Sequence, residues 1–274
     1  MIRFDGRVAI VTGAGRGLGA AYARELARRG AALVVHDAGV GRSGEGGDPS
    51  IADAVVREIK RDGGMAIASY ENLESGDACL RIVEAALAEF GRIDVLINNA
   101  GLVVYEMIEE ADRSWETLRR VSIDAPFHLS RAAFPIMKRQ QYGRIVFTTS
   151  GIAMSVENTR PGLAAYAAGK MAQFGLMVVF AAEGEPHGML SNAIAPVAAT
   201  RVYTQQFEPG ELRPESVAPG IVFLSSEECT VNGVVLSAAD GVFGLRRWTR
   251  GAEVDLGREA DAETIAARWH ELAG

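Results

Sequence analysis

Cysteine, aromatic residues and basic charge are all scarce in this sequence. Cys79 and Cys229 are the only two cysteines, and neither lies at metal-ligand spacing or beside a histidine. We therefore interpret both as ordinary thiols and predict no metal site. The formal net charge of −7 disfavours non-specific binding to nucleic acid or to an anionic membrane, so neither is expected as a partner.

Long apolar runs are missing as well. No uncharged apolar segment approaches the ~20 residues that a membrane-spanning helix needs, and the residues after Met1 lack the apolar stretch of a secretion signal. The expectation is a cytoplasmic protein with no membrane partner. A chain of 274 residues, 48% of them hydrophobic, suffices for one domain with a sizeable core.

The sequence does contain a regular alternation of short apolar strands with helical segments. The predicted strands are residues 7–12, 32–36, 65–69, 92–97, 144–149, 189–195 and 234–237. Helical segments separate them, and no hairpin is predicted. The predicted fold class is α/β, a single-domain Rossmann-type, doubly wound parallel sheet of about seven strands flanked by helices. Residues 1–243 form its core and residues 244–274 a C-terminal extension.

A glycine-rich turn, residues 12–19, joins the first predicted strand to a helix. Gly13, Gly17 and Gly19 permit a tight turn and a close approach of the backbone to a ligand, and the helix N-terminus then faces a pyrophosphate. A preceding strand and a following helix make such a pattern typical of dinucleotide binding. Leu18 lies within the same turn.

Asp37 follows the second predicted strand, eighteen residues after Gly19. A carboxylate at this point accepts hydrogen bonds from both ribose hydroxyls of an adenosine and repels a 2′-phosphate. It favours NAD over NADP as the cofactor. Arg16, inside the glycine-rich turn, is the counter-argument, because its guanidinium would pair with such a phosphate.

Further ligand contacts are expected where the later strands end. Glu71 or Asn72 follows the third strand and is placed to touch the adenine edge, while the polar loop 39–49 is expected to lie over the adenosine. Asn98 and Asn99 close the fourth strand. They lie at the carboxyl edge of the sheet, where ligands of such folds bind.

Tyr166 and Lys170 lie one helical turn apart, on one face of the predicted helix 163–183. A free tyrosine titrates near pH ~10, so its use as an acid or base near neutrality requires roughly 4 kcal/mol of stabilisation of its anion. A lysine on the same face supplies much of that. From these two residues alone, the alternative is that the tyrosine packs while the lysine extends into solvent.

These motifs together resemble the short-chain dehydrogenase/reductase superfamily. Residues 12–19, residues 98–101, Ser150, and Tyr166 with Lys170 stand in its order and spacing. The resemblance implies that Tyr166 is the general acid/base, that Lys170 lowers its pKa and holds the nicotinamide ribose, and that Ser150 binds the reacting oxygen. It also implies a small-molecule substrate and a homotetramer or homodimer. Its remaining implied cofactor contacts are Leu73, Asn99, Ala100, Gly101, Pro196, Ala199 and Thr200, with Arg201 beside the last.

A closer similarity extends into the C-terminal tail. Residues 2–8, 90–95, 142–146, 192–196 and 245–248 are similar to the (3R)-hydroxyacyl-CoA dehydrogenase part of the peroxisomal multifunctional enzyme type 2. This implies NAD-dependent interconversion of a 3-hydroxyacyl-CoA and a 3-oxoacyl-CoA of fatty or steroid side-chain type. The alternatives are a dehydrogenase or carbonyl reductase for a free hydroxysteroid, terpenoid or aromatic ketone, and a non-catalytic dinucleotide-binding protein.

Three positions depart from the superfamily pattern. Ser122 stands where an asparagine is usual, so a serine is the predicted member of the catalytic set there. The segment from Ser150 to Tyr166 is about three residues longer than usual, which makes Ser155 a competing candidate for the serine. Val197 replaces the usual glycine after Pro196.

Two further predictions concern segments nearer the C-terminus. Residues 197–214 lack periodicity, as is typical of a lid over a substrate. Arg246, Arg247 and Trp248 are expected to meet a CoA phosphate or a neighbouring subunit, with a solvated basic turn as the alternative.

Overall fold

The fold is a single eight-stranded sheet with helices on both faces, seen in a computed structural model that describes residues 1–42, 44–200, 208, 210–248 and 250–273. The strand order is β3-β2-β1-β4-β5-β6-β7-β8. The strands are β1 Val8–Thr12, β2 Ala32–His36, β3 Met65–Ser69, β4 Val95–Asn98, β5 Gly143–Thr148, β6 Met189–Val197, β7 Val235–Ala239 and β8 Val242–Arg246. β1 to β7 are parallel, and β8 is antiparallel to β7. The predicted fold class is confirmed.

The helices follow the strands in the alternation that the sequence predicts. They are α1 Gly17–Arg28, α2 Ser50–Arg61, α3 Gly76–Phe90, α4 Asp112–Arg119, α5 Ala125–Gln140, α6 Ala164–Gly184, α7 Ala218–Ser225, α8 Ala262–Ala267 and α9 Trp269–Ala273. A parallel pair of strands needs a crossover, and these helices supply it.

The hydrophobic core lies in two layers because neighbouring residues of a strand point to opposite faces of the sheet. Val11 and Val35 pack in one cluster with residues of α1, α2 and α7. Ile10 and Val34 pack in the other with residues of α3, α5 and α6. Strands covered on both faces read as continuous apolar runs, which is why the sequence alone locates them well.

The carboxyl ends of the central strands meet at one edge of the sheet. β1 pairs with β2 on one side and with β4 on the other, so the chain order reverses beside β1. Such a reversal leaves a crevice between the loops that follow the two strands. The glycine-rich turn after β1 and the residues after β4 both lie there.

An eighth strand was missing from the sequence-based prediction, which gave about seven and no hairpin. Asp240 and Gly241 join β7 to β8 with positive φ values of 46° and 81°. Two consecutive positive φ angles are characteristic of the two-residue turn for which Asp-Gly is a strong signal. The predicted division at residues 243 and 244 falls inside β8.

The long helical region before β5 is interrupted close to Pro126. A π-helical turn, Arg120–Asp124, lies between α4 and α5. Pro126 has no N–H to give to the carbonyl four residues earlier, which is that of Ser122, so the α-helical pattern is not completed here. The wider turn brings Ser122 against α6.

Helix α6 crosses the face of the sheet at β5 and β6. Among the described residues, the segment Ala164–His187, which is α6 with the short turn that follows it, is the one that length and composition would allow to cross a membrane. In the fold this helix buries Met177 and Ala181 in the protein, and it carries a buried lysine, Lys170. The absence of a membrane partner stays a prediction.

Candidate active site

A cavity of about 280 Å³ opens at the carboxyl edge of the sheet. The predicted site residues that line it come from seven separate stretches of chain. They are Gly13, Arg16, Gly17, Leu18, Gly19, Asp37, Asn72, Leu73, Asn99, Ala100, Gly101, Ser150, Tyr166, Lys170, Pro196 and Thr200. The fold therefore brings nearly all of them together.

The glycine-rich turn packs closely against the loop that follows β4. A Cβ added to Gly19 would lie 2.1 Å from the carbonyl oxygen of Gly13, and one added to Gly13 would lie 2.9 Å from the Cα of Ala100. Gly13 also has a φ of 64°. Side chains at these two positions would displace the backbone that approaches a ligand.

Thr12 and Asn99 tie the two loops to each other. The Thr12 hydroxyl accepts hydrogen bonds from the backbone N–H groups of Asn99, at 3.0 Å, and Ala100, at 3.1 Å. The Asn99 side chain donates to the Thr12 carbonyl at 2.8 Å. Asn98 instead points into the protein and donates to the Ser130 hydroxyl. Of the two asparagines, Asn99 faces the cavity.

Asp37 stands at the end of the cavity nearest β2. One carboxylate oxygen accepts from the N–H of Gly15 at 2.9 Å, and the other accepts from the N–H of Gly39 at 2.8 Å. Each oxygen keeps a second lone pair for a ligand hydroxyl. Arg16 donates to the carbonyl of Val40 at 2.8 Å, so part of its guanidinium is already engaged.

Of the two candidates for the adenine contact, Asn72 lines the cavity and Glu71 does not. Glu71 forms an ion pair with Arg81 outside the cavity, at 2.6 Å. Asn72 and Leu73 line it. His36 also lines it, and burial lowers the pKa of its imidazole. Sequence reasoning missed His36 because it lies in a strand whose other residues are apolar.

Tyr166 and Lys170 share a face of α6, and both line the cavity. The Lys170 ammonium lies 5.9 Å from the centre of the Tyr166 ring. Lys170 is only 4% exposed and donates to the Thr148 carbonyl at 2.7 Å. Burial lowers its pKa to about 8. The solvent-exposed alternative for this lysine is therefore wrong, because the side chain is enclosed by the protein.

Ser150 lines the cavity and Ser155 does not. The Ser150 oxygen accepts from the N–H of Ile152 at 3.3 Å, which leaves the hydroxyl proton available to a ligand. The Ser155 hydroxyl accepts from the Asn158 side chain at 2.7 Å within the loop. The distance of Ser150 from the end of β5 is what separates the two candidates.

Ser122 lies behind the cavity rather than in its wall. It is buried in the π-helical turn, and its hydroxyl has no hydrogen-bond partner among the described residues. Its Cβ is 2.7 Å from the position that a Cβ on Gly169 would take. The turn can approach α6 this closely because residue 169 has no side chain.

After β6, alternate residues face the cavity. Pro196, Ala198 and Thr200 line it, whereas the predicted Ala199 does not, and the Ala199 N–H donates to the Leu212 carbonyl at 2.7 Å. In an extended segment residues i and i+2 share a side, which explains the difference. Arg201 and much of the predicted lid, residues 201–207 and 209, lie outside the described residues.

The substrate end of the cavity has an apolar wall that sequence reasoning did not identify. Its members come from the loop after β4 and the loop before α6, and they are Leu102, Val103, Tyr105, Ile152 and Leu163. The signal available was an apolar pair and a tyrosine immediately after the Asn-Ala-Gly turn. Such a wall favours a substrate with an apolar portion beside its reacting group.

The basic turn at the end of β8 lies outside this cavity. The Trp248 ring packs on Phe174 of α6, with centroids 4.3 Å apart. An Arg246 guanidinium nitrogen lies 3.9 Å from the position that a Cβ on Gly151 would take. Trp248 thus contacts its own chain, and the CoA phosphate contact stays a prediction.

A phenol, a buried ammonium and a serine hydroxyl converge on one wall of a cavity whose other end has a glycine-rich turn and a carboxylate. This arrangement defines a Rossmann-type nucleotide-binding protein with a group suited to proton transfer. The family model for short chain dehydrogenase matches residues 7–211. The chain belongs to that family.

Three similar proteins describe its relatives. A peroxisomal multifunctional enzyme type 2 of Mus musculus is 41% identical over 279 residues, which cover 99% of this chain and 37% of the mouse chain. A crystal structure of a short chain dehydrogenase from Mycobacterium avium has a TM-score of 0.86 at 34% identity, covering 99% of this chain and 95% of that one. A metagenomic short-chain oxidoreductase in complex with NADP has a TM-score of 0.70 at 31% identity, covering 84% and 95%. This chain thus spans little more than a third of the mouse enzyme.

Proposed function

We propose that this protein is an NAD-dependent oxidoreductase that interconverts a secondary alcohol and a ketone. The observation that carries the proposal is the Tyr166 phenol beside the buried Lys170 ammonium, on the wall of a cavity that fits a dinucleotide. The fit rests on the close packing at Gly13 and Gly19 and on the two lone pairs left on the Asp37 carboxylate. A nicotinamide bound there supplies the hydride acceptor or donor.

The protein's own groups carry the proton. In alcohol oxidation the Tyr166 phenolate removes the hydroxyl proton, and in ketone reduction the phenol returns it. The Lys170 ammonium stabilises the phenolate, because an opposite charge nearby favours the ionised form. The Ser150 hydroxyl donates to the reacting oxygen and fixes its position. Serine and tyrosine reach one oxygen because β5 and α6 are neighbours.

The substrate that we propose is a 3-hydroxyacyl-CoA, with the matching 3-oxoacyl-CoA as product. The apolar wall at Val103, Ile152 and Leu163 is suited to an acyl chain, and the similarity to the multifunctional enzyme supports a thioester. A free hydroxysteroid, terpenoid or aromatic ketone also fits an apolar wall, and it is the second candidate.

Turnover of (3R)-hydroxyacyl-CoA esters with NAD is the expected result, read as NADH absorbance over a series of chain lengths. Free CoA should inhibit if the nucleotide part of the thioester is recognised. Absence of turnover at every chain length, together with reduction of free ketones that CoA does not inhibit, would reject the thioester and support the second candidate.

NAD preference can be tested at Asp37, since a similar short-chain oxidoreductase has been solved in complex with NADP. Asp37→Asn removes the charge and keeps an acceptor oxygen. Hydrogen bonds to charged groups contribute roughly 1.5–3 kcal/mol, so we expect about a tenfold loss in kcat/KM for NAD and at least a tenfold gain for NADP. Steady-state kinetics with both cofactors measure this ratio.

Asp255→Asn is the matched control for that substitution. Asp255 also accepts the backbone N–H of a glycine two residues later, that of Gly257 at 2.8 Å, but it does not line the cavity. Its cofactor ratio should equal that of the wild type. Wild-type preference for NADP, or an unchanged ratio in Asp37→Asn, would remove Asp37 as the discriminating residue.

A homotetramer or homodimer and a cytoplasmic location complete the proposal. Support for an oligomer comes from α6, whose Val178 and Val179 are 45% and 54% exposed on a helix that otherwise packs on the sheet. Sedimentation showing only monomer would reject the oligomer. Fractionation that places the protein in a membrane-bounded organelle would reject the location.

A further inference from the structure

Gln173 is a fully buried glutamine one turn after Lys170 on α6. Its exposure is 0%, and it packs on the β5 side of the helix. Its carbonyl oxygen accepts a hydrogen bond from the backbone N–H of Thr148 at 3.2 Å. Its amide nitrogen has no partner among the described residues. An unpaired buried donor is costly, so a leucine of similar size would be the expected residue unless the amide has a use.

Gln173 and Lys170 both form hydrogen bonds to the backbone of Thr148. The Thr148 N–H binds Gln173, and the Thr148 carbonyl accepts from the Lys170 ammonium at 2.7 Å. The next residue, Thr149, donates its N–H to Ile194 of β6. Because successive residues of a strand present their backbone groups to opposite sides, Thr148 presents its own toward β4.

No strand is available to Thr148 on that side. The last residue pair between β4 and β5 is Asn98 with Phe147, after which β4 ends. The side chains of Gln173 and Lys170 take the place that a longer β4 would fill. The position of the Lys170 ammonium therefore depends on the Thr148 carbonyl, and Gln173 fixes that residue through its N–H.

Few groups other than Gln173 bear on the charge of Lys170. On α6 the titratable neighbour is Tyr166. On the π-helical turn Ser122 is uncharged, Arg120 pairs with Glu74 and Glu116, and Asp124 pairs with Arg119. From β5 and the loop after β4 the neighbours are Thr148 and Gly101. The Thr148 carbonyl is thus the acceptor through which the protein favours the charged ammonium.

We infer that Gln173 is a positioning residue for catalysis, which holds the Thr148 peptide so that its carbonyl keeps the Lys170 ammonium charged and directed toward the Tyr166 side of α6. This inference rests on the proposed function, since it deepens the role of Tyr166 and Lys170. Gln173 touches neither substrate nor cofactor, and it acts through the peptide.

The test uses a property of this sequence, which has only three lysines, Lys60, Lys138 and Lys170. Lys60 and Lys138 are exposed, and in protein labelled with ¹³C at lysine Cε the Lys170 resonance is identified as the one that is missing from Lys170→Met. Its titration midpoint is the readout. In Gln173→Leu that midpoint should fall by about one unit, because a charged group loses its fixed acceptor. The turnover number should fall about tenfold, and the pH of half-maximal alcohol oxidation should rise, because Tyr166 has lost stabilising charge.

Gln140→Leu is the matched control. Gln140 also holds a strand-end peptide, donating to the Ile93 carbonyl at 2.6 Å and accepting from its N–H at 3.2 Å, but at the opposite edge of the sheet. Its loss should lower the melting temperature and leave the Lys170 midpoint and the pH profile unchanged.

A purely structural role for Gln173 would give the same pattern as the control, and that result would overturn the inference. If Gln173→Leu does not fold, Gln173→Glu is the deciding variant. A carboxylate near the same peptide should raise the Lys170 titration midpoint, and an unchanged midpoint would overturn the inference. The resonance needs no turnover. An inactive wild type whose Lys170 midpoint still responds to residue 173 would reject the proposed function while leaving the positioning role intact.

Discussion

Tyr166→Phe should lower turnover by about a thousandfold while leaving NAD binding nearly unchanged. General acid/base groups contribute ~10²–10⁴-fold, and the phenylalanine keeps the ring that packs on the cavity wall while removing the atom that transfers the proton. Turnover is measured with the best substrate of the panel, and NAD binding by titration of protein fluorescence.

Tyr70→Phe controls for the loss of a phenol hydroxyl. The Tyr70 hydroxyl donates to Asp53 at the surface, away from the cavity, and its variant should keep wild-type turnover. Turnover of Tyr166→Phe within a factor of ten of the wild type would move the proton transfer to another group, and the proposed mechanism would fail.

Lys170→Met should abolish most activity and yet stabilise the fold near neutral pH. The lysine tunes the phenol, so its loss should reduce turnover at least a hundredfold at pH 7, with part of the activity returning at higher pH. Methionine fills a similar volume without the charge. Burial lowers the pKa of Lys170 to about 8, against about 10.4 in an unfolded chain, and this difference corresponds to roughly 3 kcal/mol of burial cost.

The free-energy cost of burying the charged Lys170 depends on pH. The unfolded chain binds the proton more tightly, so the cost is fully present below the folded pKa of about 8. It decreases as the pH rises from there toward about 10.4. The stability difference between Lys170→Met and the wild type should therefore be largest at pH 6–7 and shrink above pH 8.

Urea unfolding at pH 6.5 and pH 9.5 measures this difference. Lys138→Met, at an exposed position of α5, should change stability by little at either pH. A Lys170→Met variant that is less stable than the wild type at pH 6.5 would show that the hydrogen bond to Thr148 outweighs the cost of burying the charge.

The sequence located the buried parallel strands and the glycine-rich turn because their signals are local. Strands β2 at Ala32–His36 and β3 at Met65–Ser69 have the bounds that the sequence predicted. The hairpin to β8 carried an equally local signal, the Asp-Gly pair. The strands beside it are partly exposed, so their sequences lack the continuous apolar run of a buried strand. The site residues Asp37, Asn99 and Tyr166 were predictable because each follows or faces the end of a strand.

Other parts of the site depended on contacts between segments far apart in the sequence. Ser150 and Ser155 are equivalent as residue types. The distance of Ser150 from the strand at Arg144 favoured it in the sequence, but the course of the longer loop, which leaves Ser155 outside the cavity, is a property of the fold. Ala198 replaces Ala199 because the segment after Pro196 is extended. The apolar wall at Val103 and Leu163 joins two loops whose proximity no local pattern reveals.

The sequence by itself determined the fold class, the edge of the sheet at which the candidate site lies, and the identity of the phenol and ammonium pair. Each of these depends on a local pattern: the hydrophobic period, the spacing of the glycines and the helical spacing of Tyr166 and Lys170. Only the tertiary structure decided the state of that pair. Lys170 is buried because α6, β5 and the π-helical turn enclose it, and its ammonium is held by the Thr148 peptide because β4 ends one residue short of pairing with it. Burial and strand length are properties of the packed sheet, and together they determine the environment of the Lys170 ammonium.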